Sequence, residues 1–170
     1  MKLSNFVKLA LPSAVLALGL ISTPASAATT ASTSMQVSAQ VQTSCSVSAT
    51  SLTFSAYTGT VLQATSSITV SCNTNDTVTI GLSKGQGDLA SANNPRVMTG
   101  TSPMGDYLNY SLYSDNAYSI PWTDLSGTNY VTATVDGEAP SPLPVYGRIA
   151  GGQNSPADTY TDSITVTVSY

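Results

Sequence analysis

Hydrophobic and polar residues alternate strictly in the stretch "TSMQVSAQVQTSC". Apolar side chains occupy every second position, and the residues between them are Ser or Gln; the apolar set is Met35, Val37, Ala39 and Val41. A period of two places apolar side chains on one face of an extended chain and is typical of a half-buried β-strand. The stretch therefore predicts a strand that covers an apolar surface, and the pattern leaves open which molecule supplies that surface.

Similar alternating runs, separated by turn residues, occupy the rest of the chain, at 45–57, 66–72, 77–83, 107–115, 143–150 and 161–170. The second and third runs flank "NTND" and predict a hairpin. The stretch 84–105, rich in Gly, Asn, Pro and Ser, predicts a long surface loop. The stretch 118–137 predicts one or two short strands, the first confined to a sheet edge by Pro121.

No apolar period near 3.6 persists over three turns after the first 27 residues, so no helix is expected there. Short alternating runs with turns between them are typical of antiparallel sheets packed face to face. The expected fold class is all-β, a β-sandwich.

The first 27 residues have the pattern of an export signal. Lys2 and Lys8 precede an apolar run over 9–21, and Ala25-Ser26-Ala27 supplies small residues for cleavage. We predict a signal peptide at 1–27, with an uncleaved anchor as the alternative. The remaining 143 residues suit one domain without membrane insertion.

Charge excludes two classes of partner. After the signal peptide, three basic residues (Lys84, Arg96 and Arg148) stand against nine acidic ones, a net charge of −6. Such a chain offers no basic patch for nucleic acid or anionic lipid.

Two cysteines, Cys45 and Cys72, occur in a chain that is predicted to be exported. An oxidising compartment favours a disulfide between them. A catalytic or metal-binding thiol is the rival interpretation, but the chain contains no histidine to support it.

Candidate catalytic chemistry is limited to carboxylates. Asp136 with Glu138, and Asp158 with Asp162, leave room for an acid pair or a calcium site. Each pair lies in a segment of turn residues, where acids are ordinary solvated groups, so we predict no enzyme, no metal and no cofactor. The nine tyrosines with Trp122 allow a sugar-binding groove, although aromatic residues of a sandwich more often fill its core.

The last third of the chain, "LPVYGRIAGGQNSPADTYTDSITVTVSY", closely resembles the C-terminal signature of the spore coat protein U domain family. The stretches "ITVSCNTNDTVTIGLSKGQG", "LNYSLYSD" and "TSCSVSA" resemble the same family. The family includes the major subunits of Csu-type, or archaic, chaperone-usher pili.

The resemblance implies an immunoglobulin-like sandwich that lacks its last strand. In such pilins a periplasmic chaperone fills the open groove temporarily. At the outer-membrane usher, the N-terminal strand of the next subunit replaces the chaperone strand, which is donor-strand complementation by β-strand addition.

Applied to this chain, the resemblance divides it into a donor segment at 28–43 and an incomplete domain at 44–170. The alternating apolar residues of the first segment become the inserted side chains. The residues implied for the acceptor groove and chaperone-binding edge are Ile164, Val166, Val168 and Tyr170. The Cys45–Cys72 bridge would tie the first strand to the second.

The expected function is a structural pilin that passes through the periplasm and polymerises on the cell surface for adhesion and biofilm formation. Its expected partners are identical or related subunits, a chaperone and an usher. The alternatives are a tip adhesin that binds a surface or carbohydrate, a spore coat or extracellular matrix protein, and, least favoured, an enzyme.

Overall fold

The structure, a computed structural model of the chain, describes residues 27–87, 95–102, 106–137 and 139–170. Apart from Ala27, the predicted signal peptide lies outside these residues, and so does Glu138 of the candidate acid pair. The chain divides into two compact units at Ala39 and Gln40. No helix occurs in the described ranges, and hence none long and apolar enough to span a membrane.

The described residues of the second unit contain nine strands, which pair into two antiparallel sheets. In chain order they are β1 (Cys45–Ala49), β2 (Leu62–Cys72), β3 (Asp76–Leu82), β4 (Arg96–Gly100), β5 (Tyr107–Tyr113), β6 (Val131–Val135), β7 (Ser141–Ile149), β8 (Tyr160–Thr161) and β9 (Val166–Ser169). One sheet has the order β1-β2-β7-β5-β4-β8 and the other β6-β3-β9. The predicted all-β, immunoglobulin-like sandwich is confirmed.

The core is built from the alternating apolar residues of both sheets. Ile68 and Val70 of β2, and Val78 and Ile80 of β3, are buried. The indole of Trp122 is also buried and donates a hydrogen bond to the Ile80 carbonyl (2.9 Å). Trp122 is therefore a core residue and not part of a sugar-binding surface.

The runs at 66–72 and 77–83 form most of β2 and β3, but the prediction that they pair as a hairpin is wrong. β2 pairs with β1 and β7, whereas β3 pairs with β6 and β9. Residues 73–75 carry the chain from one sheet to the other. The physical reason is that alternation identifies the buried face of a strand but does not determine which strand pairs with it.

The predicted surface loop at 84–105 is also corrected, because β4 (Arg96–Gly100) lies inside it. Its first three residues, Arg96, Val97 and Met98, are all buried. The strand consequently shows neither the alternation of a half-buried strand nor an unbroken apolar run.

Two further runs are shorter than predicted. The run at 161–170 is split between β8 in the larger sheet and β9 in the smaller one. The run at 45–57 is a strand only as far as Ala49. The stretch 118–137 yields one strand, β6, and Pro121 forms only an isolated bridge to Tyr113.

Candidate functional site

The sandwich has a long opening on one side. A cavity of about 990 Å³ lies between residues 49–57 on one wall and residues 155–164 with Val166 on the other. Nine consecutive residues line the first wall and ten consecutive residues with Val166 line the second, so the opening is a groove bordered by two continuous stretches of chain. We call it the open groove.

Beyond Thr50, the first wall has no strand partner among the described residues. The Thr50 amide donates to the Ser67 carbonyl (2.9 Å), which ends the pairing with β2. Residues 51–56 belong to no strand, and their backbone groups make no hydrogen bond within the described ranges. Unpaired amide and carbonyl groups of this kind form a template on which another strand can pair.

The second wall ends in an edge strand. β9 pairs with β3 through residues such as Val168, which lies opposite Ile80, and β9 is the last strand of its sheet. Each wall thus includes backbone at the margin of a sheet, residues 51–56 on one side and β9, through Val166, on the other, as a sandwich with a missing strand would.

The floor of the open groove is apolar. The side chains beneath it come from both sheets and belong to the buried core; those lining the groove are Ile68, Leu82, Met98, Leu108, Tyr110, Leu112, Val145 and Ile149. Apolar side chains lying along the groove would be removed from water, which favours their binding.

Gly147 allows the first wall to lie close to β7. A Cβ atom on Gly147 would lie 2.8 Å from Leu52 Cδ1 and 2.9 Å from Phe54 Cζ, closer than real Cβ contacts. Leu52 and Phe54 are only half-buried and line the groove. Glycine at position 147 therefore determines how closely the Leu52 and Phe54 side chains pack against β7.

Tyr57 fixes the far end of the first wall. Its hydroxyl donates to the Ala150 carbonyl (2.9 Å) and accepts from the Gln153 amide (2.9 Å). The wall is therefore held at Thr50 and at Tyr57, and the residues between these anchors keep their backbone groups available.

A polar cluster closes one part of the groove. The Tyr110 hydroxyl donates to Asp162 Oδ2 (2.7 Å), and the Gln86 amide donates to Asp162 Oδ1 (2.7 Å). Burial, followed by the hydrogen bond to Asp162, raises the pKa of Tyr110. Gly85 has a φ of +94°, and a Cβ there would meet the Asp162 carboxylate.

Arg96 lies beside this cluster and is fully buried. Its guanidinium donates to the carbonyls of Ser83 (2.8 Å), Leu82 (3.1 Å) and Trp122 (2.8 Å). Burial lowers the pKa of Arg96 to about 10, and the charges around Tyr110 and Asp162 act in the opposite direction. The arginine thus ties β4 to the end of β3 and to the segment around Trp122.

The four residues predicted for the acceptor edge take different positions. Ile164, Val166 and Val168 are half-buried and pack against the core. Ile164 and Val166 line the open groove. Tyr170 follows β9 and is 58% exposed, outside the groove lining. Their role in binding a chaperone stays a prediction.

The predicted donor residues are exposed. In the first unit, Met35 is 83% and Val37 is 80% exposed, and Ala39 is exposed as well. Val41, in the second unit, is 81% exposed. Residues 27–44 form no strand in this single chain, so their insertion into another subunit stays a prediction.

The predicted disulfide is present. Cys45 and Cys72 are bonded, with 4.0 Å between their Cα atoms, and they face each other at the end of the β1–β2 pair. The bridge therefore fixes the start of the strand that leads into the first wall.

Asp158 and Asp162, the second candidate pair of carboxylates, make hydrogen bonds within the fold. Asp158 accepts hydrogen bonds from Thr101 Oγ1 and from the Ser102 amide, and the first of these contributes most to lowering its pKa. Asp162 is occupied by Tyr110, as described above. Among the described residues, no three Asp, Glu or Cys side chains come together as a metal site.

The sequence analysis missed the roles of Gly147, Tyr57 and Arg96. For Leu52, Phe54 and Tyr110 a signal existed, because they alternate within the runs 45–57 and 107–115. The others act through partners distant in sequence, such as Ala150 for Tyr57, and no local pattern identifies them.

Comparison with known proteins agrees with the geometry. The sequence profile of the Spore Coat Protein U domain matches residues 31–167. Protein U of Myxococcus xanthus is 30% identical over 182 residues, which cover 98% of this chain and 99% of that protein.

A solved structure shows a similar fold. A chain of the CsuC–CsuE chaperone–tip adhesion subunit pre-assembly complex, from the archaic chaperone-usher Csu pili of Acinetobacter baumannii, superposes with a TM-score of 0.55 at 22% identity. The match covers 76% of this chain and 40% of that one, so this chain spans less than half of its structural neighbour. The minor tip subunit HdaB of the E. coli Hda pilus gives a TM-score of 0.38 at 15% identity, over 72% of this chain and 79% of that one.

Proposed function

Because this chain belongs to the Spore Coat Protein U domain family, a structural and non-enzymatic family, we propose that it is a pilin subunit that polymerises by donor-strand exchange. The observation that carries the proposal is the open groove, with its apolar floor and two unpaired edges. The occupant we propose is the N-terminal segment 28–43 of a second copy of this chain.

The donor segment and the groove are complementary in chemistry. Met35, Val37, Ala39 and Val41 lie at the period of a strand, and the first, second and fourth are more than three-quarters exposed in the single chain. Inserted into the groove, three large apolar side chains would contribute about 5–9 kcal/mol by burial. Main-chain hydrogen bonds to both edges would add to this, and ordering the segment would offset part of it.

The groove also makes a partner necessary before assembly. An apolar groove with two open edges exposes the chain to uncontrolled strand pairing. We therefore propose that a periplasmic chaperone occupies the groove first, along the edge formed by Ile164, Val166 and Val168, and that an outer-membrane usher carries out the exchange. The polymer would then lie on the cell surface and serve adhesion and biofilm formation.

Alternation in the donor segment supplies a matched pair of variants. In Val37→Asp a carboxylate would have to enter the groove, whereas in Ser38→Asp the same charge would face away from it. We expect mature chains with Val37→Asp to form no detergent-resistant ladder on unheated gels and no fibres by electron microscopy. Chains with Ser38→Asp should assemble as wild type does. Equal behaviour of the two variants would remove the basis for the donor assignment.

A spore coat or matrix role is the second candidate. It is favoured by the match to Protein U of Myxococcus xanthus over almost the full length of both chains. Electron microscopy of the native host with labelled antibody separates the possibilities. Label along fibres supports a rod subunit, label confined to fibre ends supports a tip adhesin, and label on fibre-free resting cells supports a coat protein.

A further inference from the structure

Asn73 extends the pairing between β1 and β2 beyond the end of β2. The last residue pair of the two strands is Cys45 with Cys72. One residue further, the Asn73 amide donates to the Ser44 carbonyl (3.0 Å). The Asn73 side chain adds two bonds: Oδ1 accepts from the Ser44 amide (2.8 Å), and Nδ2 donates to the Gln42 carbonyl (2.8 Å).

The side chain of Asn73 here replaces a strand backbone. A primary amide carries a carbonyl acceptor and N–H donors, the same groups as a peptide unit. The backbone after Asn73 turns toward β3, so it cannot pair with residues 42–44 itself. The side-chain amide makes these bonds instead and keeps residues 42–44 extended in line with β1.

The restrained residues directly follow the predicted donor residues, since Gln42 is the neighbour of Val41. A chain that is to enter its own groove must reverse its direction before Gln42. The groove lining begins at Ala49, seven residues beyond Gln42 and about 23 Å away at the rise of a strand. If the chain turns at 40–41, Met35 lies six residues, or about 20 Å of strand, behind Val41. This length is shorter than the distance to Ala49, so the Met35 side chain does not reach the groove.

Without the restraint, the reversal can take place within residues 42–44. Ala49 lies five residues, or about 16 Å of strand, beyond Ser44. Val37 precedes Ser44 by seven residues (about 23 Å) and Met35 by nine (about 30 Å). Both apolar side chains then reach the groove of their own molecule.

We propose that Asn73 is a positioning residue for assembly, which directs the donor segment to a second copy of the chain and away from its own groove. The inference rests on the proposed donor-strand function. The Asn73 side chain then determines whether the chain forms a polymer or a monomer that fills its own groove.

The test is photo-cross-linking in the full mature chain. A benzophenone amino acid replaces Gln36, which lies between the inserted residues Met35 and Val37 and faces away from the groove floor by the alternation of the segment. Isotopically heavy and light chains are mixed before assembly. Mass spectrometry of the linked peptides then distinguishes links between chains, which combine heavy and light peptides, from links within one chain, which do not.

In wild type we expect links from residue 36 to the walls of the open groove, with the share of mixed pairs expected for random mixing of chains. In Asn73→Ala we expect links within one chain to rise on the order of tenfold, because two hydrogen bonds to residues 42–44 are lost. Asn73→Asp keeps the acceptor for Ser44 and loses the donor for Gln42, so its rise should be smaller. These two variants also guard against a folding defect in either one.

Asn75→Ala is the matched control, because Asn75 lies in the same turn and its Oδ1 accepts from the Gly137 amide instead (2.8 Å). It should retain the wild-type share of mixed pairs. If both Asn73 variants also retain that share, the inference is overturned while the proposed function stands. If wild type shows no links to the groove walls at all, the proposed function is overturned and this inference with it.

Discussion

Gly147→Ala is expected to weaken assembly while leaving the sandwich folded. The added Cβ would lie 2.8 Å from Leu52 Cδ1, 2.9 Å from Leu52 Cδ2 and 2.9 Å from Phe54 Cζ. These atoms are the far ends of half-buried side chains, so they can move without displacing backbone. The space into which they can move is the open groove, where the donor strand would lie.

The size of the effect follows from overpacking. Forcing extra volume into a packed apolar site typically costs about 1–3 kcal/mol. In Gly147→Ala this cost should fall mainly on the donor-filled groove, since the unfilled groove leaves room for the displaced tips. We therefore expect the affinity between subunits to drop on the order of 5- to 150-fold.

The measurement is the temperature at which polymers of the mature chain separate into monomers in detergent, compared with the spectroscopic melting of the separated subunits. Gly151→Ala is the control, because its Cβ would approach the exposed backbone of residues 59–61, at 3.2 Å from the Gly59 carbonyl oxygen, outside the groove lining. Adding Leu52→Ala to Gly147→Ala removes the clashing methyl groups and should restore part of the lost affinity, a coupling that a double-mutant cycle detects. Polymers of Gly147→Ala that are as stable as those of Gly151→Ala would refute the reasoning.

Two further predictions concern the stability of the subunit. Replacing both Cys45 and Cys72 by Ser should lower the free energy of unfolding by about 3.5 kcal/mol, the chain-entropy value for a loop of this length. Urea denaturation measures this difference, and no change would mean that the bridge does not restrain the unfolded chain. Tyr110→Phe removes the hydroxyl that donates to Asp162 and should cost about 1–2 kcal/mol at neutral pH. The pKa of Tyr110 in the folded state is raised above its unfolded value near 10, so folding favours the protonated hydroxyl. The difference in unfolding free energy between wild type and Tyr110→Phe should therefore be constant below pH 10 and shrink above it. A difference that grows above pH 10 would contradict this assignment.

The alternating pattern predicted the buried faces of the strands well. The apolar positions of runs 66–72 and 77–83, among them Ile68, Val70, Val78 and Ile80, are all buried. This success has a simple cause, since the side-chain period of a strand depends on local backbone geometry alone. Pairing depends on which strands become neighbours, and the hairpin prediction failed at that point.

The polar elements of the groove were not predictable from local sequence. Arg96 is the one basic residue in a stretch of turn residues from 85 to 105, a pattern that predicts a solvent-exposed charge. Its hydrogen-bond acceptors, the carbonyls of Ser83 and Trp122, are 13 and 26 residues away. Burial of a cation is favourable only when such partners are in place, and only the folded chain brings them together.

The open groove arises from two departures of the chain from its sheets. The first wall leaves β2 after Thr50, and the last segment crosses from β8 in one sheet to β9 in the other. The first departure leaves the backbone groups of residues 51–56 unpaired beside the apolar floor, and the second leaves β9 as the last strand of its sheet, with Val166 in the groove lining. The unpaired stretch between the anchors Thr50 and Tyr57 is six residues long, and the alternating stretch 35–41 is seven. A strand pairs with an edge residue by residue, so if residues 35–41 of a second copy are the donor, as we propose, they are long enough to cover the six unpaired residues of this wall.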